Sequence, residues 1–280
     1  MAALSVIKFG GELLDEPVAM RSAARKILAL AARRSVVVVH GGGRAIDAEL
    51  EARNGTPRFV DGLRVTDAAA LDAAVTVLAG RTNTSLVAAI NAGGGRAVGL
   101  TGADGLLGLC DRADGFKSVA GEDVDLGLVG HPVGQNTMLL TDLLTLGYVP
   151  VVASIGVDRD GSLLNVNADS LAGHLAAALT ADELIVAGTT AGVLDTTGST
   201  IPELSIDEVD KMTASGVAHS GMVAKLAACR QAALAGIARV AIVSGRDSAD
   251  IASAPGTEIV PEPRVAAGSY GVGGAGVGTQ

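Results

Sequence analysis

Two stretches near the beginning of the chain decide its fold: VIKFGG at residues 6–11 and VVVVHGGG at residues 36–43. In each stretch an apolar, strand-like run ends in glycines beside a side chain suited to phosphate, Lys8 or His40. Glycines allow backbone N–H groups to approach an anion closely, and a helix that begins after the turn adds the positive end of its dipole. Glycine can also serve a strand-to-helix turn for geometry alone. Two such turns in the first 45 residues, one of them with a lysine, favour anion binding.

Strands and helices alternate along the rest of the chain. Apolar runs predict strands at 4–8, 35–39, 96–101, 149–154, 183–187 and 238–243. Amphipathic segments predict helices from 17 to about 34 and at 44–53, 67–79, 83–92, 136–146, 168–180 and 221–235. Asp15 and Pro17 suit the start of the first helix, residues 205–208 form a capping box for one more, and residues 103–134 predict hairpins and loops. This alternation predicts an α/β fold with a mainly parallel sheet covered on both faces.

Composition narrows the class of protein. The 280 residues can bury one large domain or two fused lobes. A net charge of −9, with three Phe, two Tyr and no Trp, disfavours a nucleic-acid partner. No uncharged apolar run reaches the roughly 18 residues of a membrane span, and no signal-peptide pattern is present, so we expect a cytoplasmic protein without a membrane partner. Cys110 and Cys229 have no metal-ligand spacing and are predicted to be ordinary buried thiols. The glycine-rich segment 263–280 predicts a flexible tail.

Three further segments carry polar side chains in an apolar context. NVNAD at 165–169 directly precedes a predicted helix, where Asn167 and Asp169 either cap the helix or bind a substrate and orient cations. Lys225, one turn into the helix that begins at 221, is either solvated or part of a site. Arg64 precedes a helix capped by Thr66 or Asp67, and its guanidinium suits a carboxylate. Neither GxxxxGK[ST] nor GxGxxG occurs, which argues against a P-loop or a dinucleotide fold.

The segments KFGG, HGGG, GLRVT, NVNAD and GMVAK, at residues 8–11, 40–43, 62–66, 165–169 and 221–225, form one ordered set. In this order and spacing they resemble the N-acetyl-L-glutamate kinases of the amino acid kinase superfamily. The likeness runs from about Val6 to Val260. It implies a three-layer αβα sandwich, in which residues 1–179 bind the acylated amino acid and form a homodimer. Residues 180–262 would bind ATP, with Mg²⁺ as cofactor.

The resemblance also implies site residues. Lys8 and Lys225 would contact the phosphoryl group in flight, with Asp169 between them as the third catalytic residue. Contacts to the acceptor, N-acetyl-L-glutamate, are implied for Gly42, Gly43, Arg64 and Asn165. Contacts to ATP are implied for Gly10, Gly11, Thr189, Gly192, Val193, Gly221 and Met222. No side chain is assigned as a metal ligand.

These roles agree with elementary chemistry. A carboxylate acceptor is already ionised at pH 7, so its phosphorylation needs no general base. The reaction needs two anions aligned in line and the equatorial oxygens neutralised, which lysines, backbone donors and Mg²⁺ can do. Asp169 is therefore better suited to holding both ammonium groups than to acting as a base.

One departure separates this chain from the family pattern. The family commonly has an aspartate before the Gly-Val-Leu turn, whereas this chain has GTTA at residues 188–191, so Thr189 keeps a hydroxyl and lacks the charge. Because the chain begins almost at its first strand, the resemblance implies a dimer insensitive to arginine. Two alternative functions remain at this level: a kinase for another acylated dicarboxylic amino acid, such as carrier-linked aminoadipate, and a ligand-binding sensor without activity.

Overall fold

The computed structural model describes residues 3–118, 121–134, 136–216, 221–248 and 250–261. Within these residues the strands, in chain order, are β1 Leu4–Phe9, β2 Ser35–His40, β3 Phe59–Val60, β4 Leu63–Arg64, β5 Ala97–Thr101, β6 Cys110–Arg112, β7 Phe116–Lys117, β8 Asp123–Val124, β9 Val129–Pro132, β10 Val149–Ala153, β11 Ile155–Val157, β12 Leu163–Val166, β13 Glu183–Gly188, β14 Glu203–Ser205, β15 Arg239–Ser244 and β16 Gly256–Val260. The main sheet has eight strands in the order β14-β16-β15-β13-β1-β2-β10-β5. A smaller sheet has the order β11-β12-β9-β6, and β3-β4 and β7-β8 form hairpins.

The helices follow the strands as the alternation predicts. They are α1 Pro17–Ala31, α2 Gly43–Ala52, α3 Ala68–Val75, α4 Asn83–Ala92, α5 Met138–Thr145, α6 Ala168–Ala178, α7 Ile206–Ala214 and α8 Gly221–Leu234. Short 3-10 turns occupy Gly11–Leu13 and Asp104–Leu106. A π-helix, Thr76–Thr82, joins α3 to α4 in one continuous run.

The main sheet is buried on both faces because its central strands are apolar at most positions. Val36 and Val38 of β2 pack with α1 and α4 in one cluster, whereas Val37 and Val39 pack with α6 and α8 in another. This division follows from the period of two in a strand, which sends successive side chains to opposite faces. Helices therefore cover the sheet on both sides, and the predicted α/β sandwich is confirmed.

The sheet is not wholly parallel, because β16 runs antiparallel to β15 and parallel to β14. The sequence interpretation closed the sheet at β15 and predicted neither β14 nor β16. β14 has three residues, too few for a periodic signal, and β16 follows a long loop with no helix before it.

The helix starts agree with the sequence in part. Ser205 and Glu208 form the predicted capping box, with Glu208 Oε2 2.8 Å from Ser205 N. Asp67, and not Thr66, caps α3 by accepting from Ala70 N at 2.9 Å. Asp15 does not cap α1, as the sequence suggested; the N-cap is Glu16, and Asp15 forms an ion pair with Arg44 on α2.

One helical run has the length and apolar composition of a membrane span, Ala68–Ala92, with a mean hydropathy of 1.2 over its best window. Its residues Leu78, Leu86 and Ile90 are buried inside the protein, and α4 packs against α1, β5 and β10. This packing is typical of a core helix, which passes the same test of composition. The predicted glycine-rich tail, 263–280, lies outside the described residues.

Parallel strands expose their carboxyl ends at one edge of a sheet, and this edge is where α/β proteins bind ligands. Here β1 and β2 run side by side, so that Phe9 pairs with His40 and both strands continue into glycines at the same level. The small sheet and the hairpin β3-β4 lie over this edge and supply the remaining walls. Val129 of the small sheet and Leu63 of the hairpin belong to one apolar cluster that joins these parts.

Candidate active site

The two glycine turns touch each other at the edge of the main sheet. A Cβ atom at Gly11 would lie 2.5 Å from Gly42 Cα, so only glycine at position 11 allows the turns to meet. Gly42 is the N-cap of α2, which begins at Gly43 and directs its N-terminus at the same place. The sequence interpretation treated these turns as two cradles; the structure joins them into one.

A cavity of about 210 Å³ lies in front of the joined turns. It brings together seven of the residues that the resemblance implies as site residues: Lys8, Gly11, Gly42, Gly43, Arg64, Asn165 and Asp169. Its apolar wall is formed by Ile46, Phe59, Leu63, Leu78 and Val129. The lining therefore combines strongly polar groups with aliphatic and aromatic side chains, which suits a small acid with an apolar substituent.

Asp169 lies between two lysines at the polar end. Its Oδ1 is 2.8 Å from Lys8 Nζ, and its Oδ2 is 3.9 Å from Lys225 Nζ. The side chains of Lys8 and Asp169 are 7% and 6% exposed, and that of Lys225 is 17% exposed. The contact to Lys8 is not a well-aligned hydrogen bond, so Asp169 Oδ1 retains capacity to accept one. Two positive charges thus flank a single carboxylate, and of these two lysines Lys8 lines the cavity.

In the NVNAD segment the structure shows both a helix cap and a carboxylate beside two lysines. Asn167 caps α6, because its Oδ1 accepts from Asp169 N at 2.9 Å and from Ser170 N at 3.1 Å. This cap fixes the first turn of α6 and with it the backbone of Asp169. The side chain of Asp169 is then free to point at the lysines and away from the helix end.

Arg64 is held by three neighbours on the far side of the cavity. Its Nη1 is 2.6 Å from Asp47 Oδ1, its Nη2 donates to Gly43 O at 3.1 Å, and its guanidinium stacks 4.6 Å from the centroid of Phe59. The Arg64 side chain is only 5% exposed. A buried, oriented guanidinium of this kind is suited to a ligand carboxylate.

Asn165 is linked to Arg64 through Thr66. Asn165 Nδ2 donates to Thr66 Oγ1 at 3.1 Å, and Thr66 Oγ1 donates to Arg64 O at 3.1 Å. Thr66 is fully buried and its backbone bridges Gly127. From the sequence, Thr66 is a candidate for the cap of α3. In the structure it connects Arg64 and Asn165, the two side chains predicted to contact the acylated amino acid.

The residues predicted for the nucleotide are more dispersed. Within the described part of the chain, Gly10, Thr189, Gly192, Val193, Gly221 and Met222 do not line the cavity, and neither does Lys225. Val193 is 2% exposed, and its N–H donates to Thr257 Oγ1 at 2.8 Å. A Cβ at Gly192 would lie 2.6 Å from the same Oγ1, so this glycine has a packing reason. Thr189 is exposed at the end of β13, and Gly221 begins α8 at the edge of the described residues.

Glu12 is a cavity residue that the sequence interpretation missed. Its carboxylate folds back over the first glycine turn, because a Cβ at Gly10 would lie 2.5 Å from Glu12 Oε1. Glu12 Oε1 and Lys225 Cε each lie 3.7 Å from the point where Gly188 would carry a Cβ. No hydrogen bond or ion pair of Glu12 occurs among residues 3–118, 121–134, 136–216, 221–248 and 250–261. Its place directly after a glycine pair was the only signal in the sequence.

The two cysteines are buried thiols, as predicted. Cys110 and Cys229 are buried and free. Burial raises the pKa of the Cys110 thiol to about 12 and raises the pKa of Cys229 above its usual range, so both remain protonated at neutral pH. In the part of the chain that the structure describes, no group of three or more His, Cys, Asp or Glu could hold a metal ion by itself.

Comparison with known proteins adds to this geometry. The model of the amino acid kinase family matches residues 3–244. The chain is 41% identical to an acetylglutamate kinase of Dinoroseobacter shibae over 87% of this chain and 82% of that protein. It is also 41% identical to an acetylglutamate kinase of Solidesulfovibrio magneticus, over 86% of this chain and 82% of that protein.

A solved structure gives the same result for the fold. The carbamate kinase of Giardia superposes with a TM-score of 0.67 at 15% identity, covering 94% of this chain and all of that one. The family match over residues 3–244 and the 41% identity to two acetylglutamate kinases show the family of this chain. The chain belongs to the amino acid kinase family, within which it is similar to acetylglutamate kinases.

Proposed function

We propose that this protein transfers the γ-phosphoryl group of ATP to the side-chain carboxylate of N-acetyl-L-glutamate, a step of arginine biosynthesis. The observation that carries the proposal is the position of Asp169 between Lys8 and Lys225 where the two glycine turns meet, with Arg64 across the same cavity. The acetylglutamate kinases at 41% identity supply the acceptor.

The acceptor is held at its far end and directed at the turns. Arg64 binds the α-carboxylate, and Asn165 contacts its neighbourhood, while Leu63 and Phe59 pack against apolar parts of the substrate. The side-chain carboxylate then lies against the N–H groups of Gly42 and Gly43 at the start of α2. This placement uses binding energy far from the reacting atoms to align them.

The transfer itself moves no proton. An oxygen of the substrate carboxylate attacks the γ-phosphorus, the bond from that phosphorus to the bridging oxygen breaks, and ADP leaves with the electron pair. The products are an acyl phosphate and ADP. Lys8 and Lys225 neutralise the transferred oxygens, the N–H of Gly11 donates to them, and Asp169 keeps the two ammonium groups in place.

The cavity also fits Mg²⁺, which this reaction class uses with ATP. Mg²⁺ prefers carboxylate oxygens and substrate phosphates over a full cage of protein ligands. Both oxygens of Asp169 face lysines, whereas the Glu12 carboxylate lines the cavity without an ion pair in the described chain. Glu12 and the phosphate oxygens of ATP would hold the ion, which would neutralise phosphate charge when bound.

We assign the nucleotide to residues 180–262 and the acceptor to residues 1–179. This division falls between the paired strands β1 and β13 of one continuous sheet. ATP would be contacted, on the side that faces away from the acceptor, by Gly10, Thr189, Gly192, Val193, Gly221 and Met222. We further propose a homodimer formed by the first of these lobes and a cytoplasmic location, where ATP is supplied. Light scattering in solution tests the dimer.

The test of the function is trapping of the acyl phosphate. Purified protein with ATP, Mg²⁺ and N-acetylglutamate should form a hydroxamate in the presence of hydroxylamine, and omission of any one component should abolish it. N-acetyl-aminoadipate, one carbon longer, serves as the matched substrate for the carrier-linked alternative. Preference for the longer acid would reject the proposed acceptor, and binding of N-acetylglutamate without turnover would support a sensor.

A further inference from the structure

His40 and Asn83 form a buried polar pair directly beneath the second glycine turn. His40, the last residue of β2, is completely buried, and Asn83, the first residue of α4, is 4% exposed. His40 Nε2 is 3.1 Å from Asn83 Nδ2, and His40 Nδ1 is 3.3 Å from Gly41 O. Neither side chain lines the cavity, so neither belongs to the contacts described above.

The surroundings fix the orientation of the Asn83 amide. Its Nδ2 is 2.9 Å from Val151 O, a carbonyl that can only accept, so the nitrogen and not the oxygen must lie there. Its Oδ1 points to β5, where a Cβ at Gly99 would lie 2.2 Å from it. Glycine at position 99 therefore leaves the slot that the amide fills.

The amide in turn fixes the proton of the imidazole. One N–H of Asn83 Nδ2 donates to Val151 O at 2.9 Å, and the other lies between His40 Nε2 at 3.1 Å and the more distant Leu100 O at 3.4 Å. An amide nitrogen cannot accept, so the contact at 3.1 Å makes His40 Nε2 an acceptor without a proton. Burial lowers the pKa of His40 to about 4, so the ring is neutral at pH 7. A neutral ring with an unprotonated Nε2 carries its proton on Nδ1, which donates to Gly41 O.

The bond to Gly41 O reaches the cavity through one peptide unit. The C=O of Gly41 and the N–H of Gly42 belong to the same planar trans peptide and point in opposite directions. With the carbonyl held by His40 below the turn, the N–H of Gly42 points up into the cavity. That N–H donates no hydrogen bond within the described part of the chain.

Packing leaves Gly42 little freedom to choose another orientation. Gly11 approaches it from one side, and the π-helix approaches from the other, where a Cβ at Gly42 would lie 2.9 Å from Leu78 Cδ2. The same π-helix ends immediately before Asn83. One helical run thus covers the turn and delivers the amide that fixes its peptide plane.

We propose that Asn83 and His40 are positioning residues that hold the Gly41–Gly42 peptide with its N–H directed at the reacting groups. The proposal rests on the proposed function, because the anion that receives this N–H is the acceptor carboxylate or the transferred phosphoryl group. Asn83 acts through His40, and His40 acts through the backbone; neither touches a reactant.

The first test is the protonation of His40 in the wild-type protein. Nitrogen-15 NMR of the histidine side chains distinguishes the two neutral tautomers and the charged ring, and His40→Asn identifies the signal. We expect a neutral ring with the proton on Nδ1. A ring protonated at Nε2, or at both nitrogens, at pH 7 would overturn the proposal.

The second test compares two pairs of variants. Asn83→Ala should lower kcat/KM for N-acetylglutamate by about tenfold or more, since a misdirected donor loses part of the 10²–10³-fold effect of such a group. Asn91→Ala is the matched control: Asn91 also bonds β5 from α4, through Ala97, but lies away from His40. In His40→Asn the amide can replace the Nδ1 donor, whereas His40→Leu has no donor. His40→Asn should therefore recover at least a third of the kcat/KM that is lost in His40→Leu.

ADP affinity, measured by calorimetry, shows whether a variant has lost nucleotide binding as well as activity. Under the proposal, the Kd for ADP changes less than threefold in all four variants. Equal loss in Asn83→Ala and Asn91→Ala, or in His40→Asn and His40→Leu, would show a purely structural role and reject the proposal. If Asn83→Ala does not fold, Gly99→Ala, which displaces the amide from the edge strand, must reproduce the loss. A wild-type protein that neither binds nor phosphorylates N-acetylglutamate would reject the proposed function, whatever the tautomer of His40.

Discussion

Neutralisation of Asp169 is the most informative single change in this protein, because it separates charge from shape. In Asp169→Asn the helix start at Asn167 is kept, whereas Lys8 and Lys225 face each other without a counter-charge. At an effective dielectric constant of 20, one charge at 2.8 Å and another at 3.9 Å attract the carboxylate by about 6 and about 4 kcal/mol before desolvation. Removing one partner of such a buried pair costs about 3–5 kcal/mol in net stability.

We therefore expect Asp169→Asn to lower the free energy of unfolding by about 3 kcal/mol and kcat by roughly 10² or more. Anions should restore part of the stability, because their charge replaces that of Asp169. Saturating ADP should raise the melting temperature of the variant more than that of the wild type. N-acetylglutamate should still bind through Arg64 and Asn165.

Calorimetry for binding, urea unfolding for stability and a single-turnover measurement for chemistry test these expectations separately. Asp210→Asn is the matched control, since Asp210 pairs with Arg230 where both side chains are at least one-third exposed. It should cost less than about 1 kcal/mol and leave turnover unchanged. A full single-turnover rate in Asp169→Asn would remove Asp169 from the mechanism, and a loss of stability no larger than in the control would contradict the buried ion pair.

Three further changes test other parts of the site. Arg64→Lys should raise KM for N-acetylglutamate by about tenfold and leave KM for ATP unchanged, because an ammonium group cannot reproduce the stacked, two-pronged guanidinium. Equal changes in the two KM values in steady-state kinetics would contradict the placement of Arg64 at the acceptor. Mg²⁺ should strengthen ADP binding about fivefold less in Glu12→Gln than in the wild type, as measured by calorimetry, because a neutral amide neither attracts the ion nor repels phosphate. Glu16→Gln, in the next turn, should leave this effect of Mg²⁺ unchanged. His40, whose pKa falls from 6.5 unfolded to about 4 folded, binds a proton more readily in the unfolded chain, so stability is lost as pH falls from 6.5 toward 4. Urea unfolding across this window should show the wild type losing up to roughly 3 kcal/mol more than His40→Asn, and equal slopes would contradict the buried neutral ring.

The order of elements could be predicted from the sequence because each signal is local. Val36 to Val39 are apolar at successive positions, which indicates a strand buried on both faces, and the structure places alternate residues in the two clusters. The capping box at Ser205 is likewise complete within four residues. The glycine turns marked the binding edge for the same reason, since parallel strands must end together.

The sequence failed where a feature depends on distant parts of the chain. β16 joins the sheet by pairing with the edge of β15, a strand that it follows after a long loop. Asp15 forms an ion pair with Arg44 and does not cap α1. Glu12 reads as an ordinary polar residue until folding turns its carboxylate over Gly10 toward Lys225. Side-chain direction of this kind follows from packing between elements, which periodicity does not contain.

By itself, then, the sequence determined the alternation, the glycine turns and the charged residues that could serve a phosphoryl transfer, because propensity and spacing act over a few residues. Only the tertiary structure decided that Asp169 meets both lysines, that Thr66 joins Asn165 to Arg64, and that Asn83 fixes the proton of His40. Apart from the bond between Thr66 and Arg64, each of these contacts joins segments far apart in the chain, and their distances are set by how the sheet, the helices and the small sheet pack together.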